Sequence, residues 1–188
     1  CNTPSLQSLA LTYSTLESAE LAELAPALYH NTSIKVLDIS GNDLKDLESA
    51  VLLRSILRTN KTITTLDLSG NRIGSTTGAV GCIADGLGSN STLLNLNLSS
   101  CCLRDGGVSI LAQTLGSRNT TLQKLTLKSN SIKPSGIDVL LESMEQSSHI
   151  TDLGLQCNYN VGNEGAIHLA RYLGNIALPN LKRLSLHG

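Results

Sequence analysis

Residues 34–44 read I-K-V-L-D-I-S-G-N-D-L and residues 63–73 read I-T-T-L-D-L-S-G-N-R-I. In both, apolar residues hold the first, fourth, sixth and eleventh places and Asn holds the ninth. The alternating L-x-L (or L-x-I) core puts two side chains on one face of a short extended segment. Working outward, the same spacing returns as Leu6-Leu9-Leu11, Leu93-Leu96-Leu98, Leu122-Leu125-Leu127, Ile150-Leu153-Leu155 and Leu181-Leu184-Leu186. Units therefore start at 6, 34, 63, 93, 122, 150 and 181, so the period runs from 28 to 31 residues. Seven hits in one register define an internal repeat.

The ninth place is filled by Ser14, Asn42, Asn71, Cys101, Asn130 and Asn158. Leu16, Leu44, Ile73, Leu103 and Ile132 follow two residues later, with Val161 one place late. An Asn at this place is expected to turn inward, where its amide pairs backbone groups that the departing chain buries. Cys101 fits as a weak donor and Ser14 as a shorter one. The second half of each unit has helical spacing. The apolar stripes are Leu21, Leu24, Ala25 and Leu28, then Val108, Leu111, Ala112 and Leu115. Further on come Ile137, Leu140, Leu141 and Met144, then Ala166, Leu169, Ala170 and Leu173. Gly78, Gly107, Gly136 and Gly165 stand just ahead of stripes, where the chain enters each helix. Pro26 is expected to kink or shorten the first helix, and Arg54, in a small-residue slot, to shift the buried stripe of the second.

The pattern resembles the leucine-rich repeat, L-x-x-L-x-L-x-x-N/C-x-L. With a helical half it resembles the ribonuclease-inhibitor type, found also in NOD-like receptor sensors and Ran GTPase-activating proteins. The stretch G-A-I-H-L-A-R-Y-L at 165–173 is similar to that family's helical half. The resemblance implies an α/β right-handed solenoid, a horseshoe of about six and a half repeats with parallel strands concave and helices convex. Curvature follows from spacing alone, because strands stack ~4.8 Å apart while helices need ~8–10 Å. The chain starts with Cys1 and stops one strand into a repeat, with no polar cap in view. Residues 1–188 are thus expected to be one leucine-rich-repeat domain, a piece of a longer array.

Composition narrows function. Leucine supplies 36 of 188 residues, Phe and Trp are absent, charged residues make up 15% and the formal charge is −1. That leaves neither the basic excess nor the stacking aromatics of a nucleic-acid binder, and no apolar run long enough for a membrane span. The five cysteines (Cys1, Cys82, Cys101, Cys102, Cys157) are odd in number and lack C-x-x-C. Reduced, buried thiols and an intracellular, cytoplasmic setting are expected. Histidines 30, 149, 168 and 187 fall at no metal-ligand spacing, and no cofactor motif occurs. Five N-x-S/T sequons lie at Asn31, Asn60, Asn90, Asn97 and Asn119; four recur at one repeat position, which reads as turn usage rather than glycosylation.

Outward positions of the strands form three columns. Asp38 and Asp67 are neighbours in one column and could serve acid/base chemistry or a cation, although D/N-L-S is how such strands ordinarily read. Lys124, Lys128, Lys182, Arg183 and His187 make the C-terminal strands basic, with Lys124, Asp152 and Arg183 alternating in sign along one column. No nucleophile, P-loop or zinc motif is present. The expected function is non-catalytic recognition of a protein partner along the concave strands, through Asp38, Asp67, Asn97, Lys124, Lys128, Asp152, Gln156, Arg183 and His187. The alternatives are a GTPase-activating or other enzyme-regulating module and a structural assembly element.

Overall fold

The computed structural model describes residues 5–147, 149–158, 165, 167–170, 172, 178 and 180–186. Strand and helix alternate: β1 (Ser8–Ala10), α1 (Ser18–Tyr29), β2 (Val36–Asp38), α2 (Leu47–Thr59), β3 (Thr65–Asp67) and a short 3₁₀ turn (Ile73–Ser75). Then follow α3 (Ala79–Ser89), β4 (Asn95–Asn97), α4 (Arg104–Ser117), β5 (Lys124–Thr126), α5 (Pro134–Ser147), β6 (Asp152–Gly154) and β7 (Arg183–Ser185). The strands form one open parallel sheet in chain order. Leu9, Leu37, Leu66, Leu96, Leu125, Leu153 and Leu184 stand opposite one another across it. Each strand pairs with the next only after the chain has passed through a helix, which gives the right-handed solenoid, strands concave and helices convex.

Between sheet and helices lies a core of Leu, Ile, Val and Ala. Its uniformity follows from its thickness: each unit has room for one layer of medium aliphatic side chains, and every unit fills it alike. The outer strands differ. Leu9 and Leu184 are only partly buried, and Leu6 and Leu186 are 41% and 39% exposed, because each is covered from one side only.

A line of inward-facing asparagines joins the units. Asn42 Oδ1 accepts from the Ser14 and Leu16 amides at 2.9 and 3.0 Å, and its Nδ2 donates to the Leu11 and Ile39 carbonyls. Asn130 does the same for Cys101 N, Leu103 N and Leu98 O, and Asn158 for Asn130 N, Ile132 N and Leu127 O. Each side chain thus satisfies the buried loop of the unit before it. Cys101 breaks the series. Its Sγ–H donates to Leu68 O at 3.2 Å, but it has no amide oxygen to offer. The loop it should serve folds differently: Ile73 N turns back to Asn71 O at 2.7 Å, and the 3₁₀ turn forms there. Gly74 in that turn lies so close to the Cys102 carbonyl that a Cβ would sit 2.3 Å from its oxygen.

The helices depart from expectation in several places. α1 runs through Pro26 to Tyr29 over 12 residues, close to the 13 of α2; Pro26 is on the exposed side, where water can meet the carbonyl that loses its partner. The stripe of α2 does not shift around Arg54. Ser49, Ala50, Leu53, Ile56 and Leu57 are buried in the usual register and Arg54 stays half-buried, its backbone facing Gly86 of α3. Gly78 precedes its helix as expected, in a left-handed conformation, whereas Gly107 and Gly136 lie within the first turns of α4 and α5. α5 is capped by a neighbouring unit: Asp105 Oδ1 accepts from Lys133 N at 2.8 Å and Oδ2 from Ser135 Oγ at 2.7 Å. In the sixth unit Leu169 and Tyr172 are buried while Ala170 is exposed. Ala166 and Leu173 lie outside the described residues, as does Val161. The Tyr172 hydroxyl donates to Glu142 Oε1 of α5 at 3.2 Å.

Two measurements check this account. Asn130→Ala strands two buried amides and should cost about 2–4 kcal/mol in urea unfolding, whereas Cys101→Ala loses one weak sulfur donor and should cost about 1 kcal/mol. Burial pushes the Cys101 thiol from 9.0 up to about 12, with the Asn71 amide pulling the other way. The folded chain therefore keeps a proton there that the unfolded chain loses. Stability should be unaffected by this thiol below pH 9 and decline as pH rises toward 12, a decline that Cys101→Ala removes.

Candidate functional site

The concave surface is built by the outward residues of each three-residue strand and the residue two places beyond it. On β3, β4 and β5 these are Thr65, Asp67 and Ser69, then Asn95, Asn97 and Ser99, then Lys124, Thr126 and Lys128. Backbone pairing holds each column in line, so Asp38 stands opposite Asp67, Asp67 opposite Asn97, and Lys124 opposite Asp152.

The acidic column is tied into its own strands. Asp67 Oδ1 accepts from Ser69 N at 2.8 Å and Ser69 Oγ at 2.6 Å, and Oδ2 accepts from Asn97 Nδ2 at 2.8 Å. Asn97 Oδ1 makes the same pair of bonds with Ser99, and Asp38 Oδ1 accepts from Ser40 N. The motif D/N-L-S is thus a turn that closes the strand after its last residue. No cluster of three or more His, Cys, Asp or Glu that could hold a metal ion exists among the described residues.

Two hollows open along this face. One of about 360 Å³ is lined by Thr65, Asp67, Asn95, Asn97, Lys124 and Thr126. The other, about 270 Å³, is lined by Lys124, Thr126, Asp152, Gly154, Gln156 and Arg183 among others. Lys124 and Thr126 belong to both, so the hollows form one trough divided by β5. The second exists because β6 carries no side chain at Gly154; a Cβ there would stand 2.9 Å from Gln156 Oε1. Gln156 folds into that space, and its Oε1 is out of solvent contact with no hydrogen-bond partner among the described residues. Asn95 closes the first hollow, donating to Thr65 Oγ1 at 3.0 Å.

The expected ladder of alternating charge is only half made. Arg183 Nη1 lies 3.2 Å from Asp152 Oδ1, with the guanidinium largely exposed. Lys124 and Lys128 have no ion pair among the described residues, and both are exposed. Lys182 is exposed as well, whereas His187 lies outside the described residues. Tyr13, on the rim, is 82% exposed with its ring against Gly41.

Sequence reasoning missed a second line of asparagines, at the sequons. Asn60 Nδ2 donates to Leu28 O of the preceding unit at 2.8 Å while its Oδ1 accepts from Thr62 N and Ile63 N. Asn90 and Asn119 repeat this with Leu57 O and Leu87 O, and all three are buried. The recurrence of N-x-S/T at one position was the available signal. Also unforeseen is the left-handed backbone at the residue before each ladder position: Tyr13, Gly41, Gly70, Ser100, Ser129 and Cys157 all have φ between 50° and 72°. The expectation of buried thiols holds only for Cys101; Cys82, Cys102 and Cys157 are half-buried and free, and Cys1 lies outside the described residues. No helix among the described residues is long and apolar enough to cross a membrane.

Comparison with known proteins agrees with this architecture. The profile of the family described as Leucine Rich repeat matches residues 30–47, 59–76, 89–112 and 118–141. Human NACHT, LRR and PYD domains-containing protein 13 is 36% identical over 120 residues, 64% of this chain and 11% of that protein. Pig ribonuclease inhibitor is 29% identical over 88% of this chain and 35% of its own length. The chain thus spans a minor part of either relative. Among solved structures, Leiomodin-1 Actin-Binding Site 2 superposes with a TM-score of 0.62 at 25% identity, over 77% of this chain and 84% of that one.

The role of Asp67 can be read from two substitutions. Asp67→Ala removes the acceptor for Ser69 and Asn97 and should lower stability by about 1–2 kcal/mol. Asp67→Asn, which copies the residue one unit further on, should lower it by less. Urea unfolding of both variants measures the difference.

Proposed function

This chain is a leucine-rich repeat protein of the ribonuclease-inhibitor type, and we propose that it is a non-catalytic recognition module whose concave strands bind a protein partner. The observation that carries this reading is the trough over β3–β7, bounded by polar side chains and shaped by Gly154. Asp38, Asp67, Asn97, Lys124, Lys128, Asp152, Gln156, Arg183 and His187 are the contact residues. Binding through them consists of many modest polar contacts, because aromatic anchors of the kind that dominate tight interfaces are absent from the columns. Nucleic acid fits the trough poorly: Asp67 and Asp152 repel phosphate. A reducing, cytoplasmic setting suits the free thiols.

A second reading, assembly through the helices, is favoured by Ile110 and Val139, which stand exposed at the same place in α4 and α5. The two readings separate by site-specific photo-crosslinking. A crosslinker at Asn97 or Lys124 should capture a protein partner in cell extract, and one at Ile110 or Val139 should not. The triple reversal K124E/K128E/R183E should reduce the concave adduct about tenfold. Adducts from the helical positions alone would favour assembly instead.

A further inference from the structure

The geometry points to a partner segment of mixed sign: an extended stretch of polypeptide bearing one basic and one acidic side chain three or four residues apart, laid across the strands. This deepens the concave reading above and rests on it. The trough is electrically divided. Asp38 and Asp67 stand on β2 and β3, and Lys124 on β5 with Lys128 two residues beyond it; none of the four has an ion pair among the described residues. At ~4.8 Å per strand the two groups are ~10–14 Å apart, which an extended chain covers in three or four residues at ~3.3 Å each. The bonds to Ser40, Ser69 and Asn97 aim the acidic groups but leave their charge uncancelled.

A single-signed ligand meets repulsion at one end of this face, so an acidic tail, a basic tail and a phosphate backbone are all disfavoured. Beyond β5 the trough continues over Gly154. The ~10–14 Å between the acidic and basic groups makes the occupant a stretch of polypeptide rather than a small zwitterion, whose two charges lie too close together to meet both.

The test uses NMR titration of the ¹⁵N-labelled chain with three synthetic peptides of about ten residues on a Gly/Ser background. One carries Arg and Glu four positions apart, the second two Glu, the third two Arg. The mixed peptide should shift amides of β3–β6 and bind about fivefold tighter than either of the others at low salt. K124E/K128E, which makes the stretch from β2 to β5 acidic, should prefer the two-Arg peptide. D38N/D67N, which keeps the turn acceptors and leaves the face basic, should prefer the two-Glu peptide. Equal affinities, no saturable shift by about 2 mM, or shifts centred on the helices would overturn the inference. Concave crosslinking that persists beside a flat peptide response removes this inference alone. Crosslinks from the helices only would remove the reading beneath it. The amide spectra show directly whether each variant is folded.

Discussion

The structure depends on pairing backbone groups that its own topology buries. A chain that alternates strand and helix at this period must turn twice per unit, and both turns are covered by the next unit. An unpaired buried amide or carbonyl costs ~1–3 kcal/mol, and each turn holds several. Asparagine solves the problem because one short side chain carries donor and acceptor together. Asn42, Asn71, Asn130 and Asn158 do this where the strand ends. Asn60, Asn90 and Asn119 do it where the helix ends. Leucine fills the space between these two lines, and the lines determine the spacing of the units.

The fold was largely legible in the residues, since period, strand slots and the first asparagine line are all written in one-dimensional spacing. What escaped depends on neighbours in three dimensions. Arg54 looks misplaced in a helical pattern, yet its buried neighbours keep their register because Gly86 of the next helix makes room for its backbone. Pro26 looks like a helix breaker, yet it falls on the wet side of α1. Four sequons looked like turns and are turns, but at Asn60, Asn90 and Asn119 a second role reaches a carbonyl some thirty positions away in the chain, which a local reading of N-x-S/T does not contain. The columns of the concave face could be written down in advance; the trough could not, because it depends on what Gly154 leaves out and on where Gln156 goes instead.

The concave face divides into side chains spent on the fold and side chains left over. Asp38, Asp67 and Asn97 hold their own strands' ends, so their positions are stiff. The side chains of Lys124 and Lys128 are exposed and make no ion pair among the described residues. Stiff acidic groups and loose basic ones on one surface combine a defined template with an adaptable margin. Recognition here is assembled from the same motif that ends the strands, and change is cheapest at the lysines.

The substitution of Cys101 for asparagine also bears on mechanics. Two continuous lines of hydrogen bonds, one along each margin of the solenoid, make it resist twisting as a ribbon stitched on both edges does. At the junction of the third and fourth units the asparagine bridge is replaced by the Cys101 sulfur contact to Leu68 O and a backbone bond from Gly74 N to Cys101 O at 2.8 Å, and the loop there carries the 3₁₀ turn. The seam between the strands that carry Asp38 and Asp67 and the strands that follow is thus sewn with a different thread on its inner margin, while Asn119 keeps the ordinary stitch to Leu87 O on the outer one.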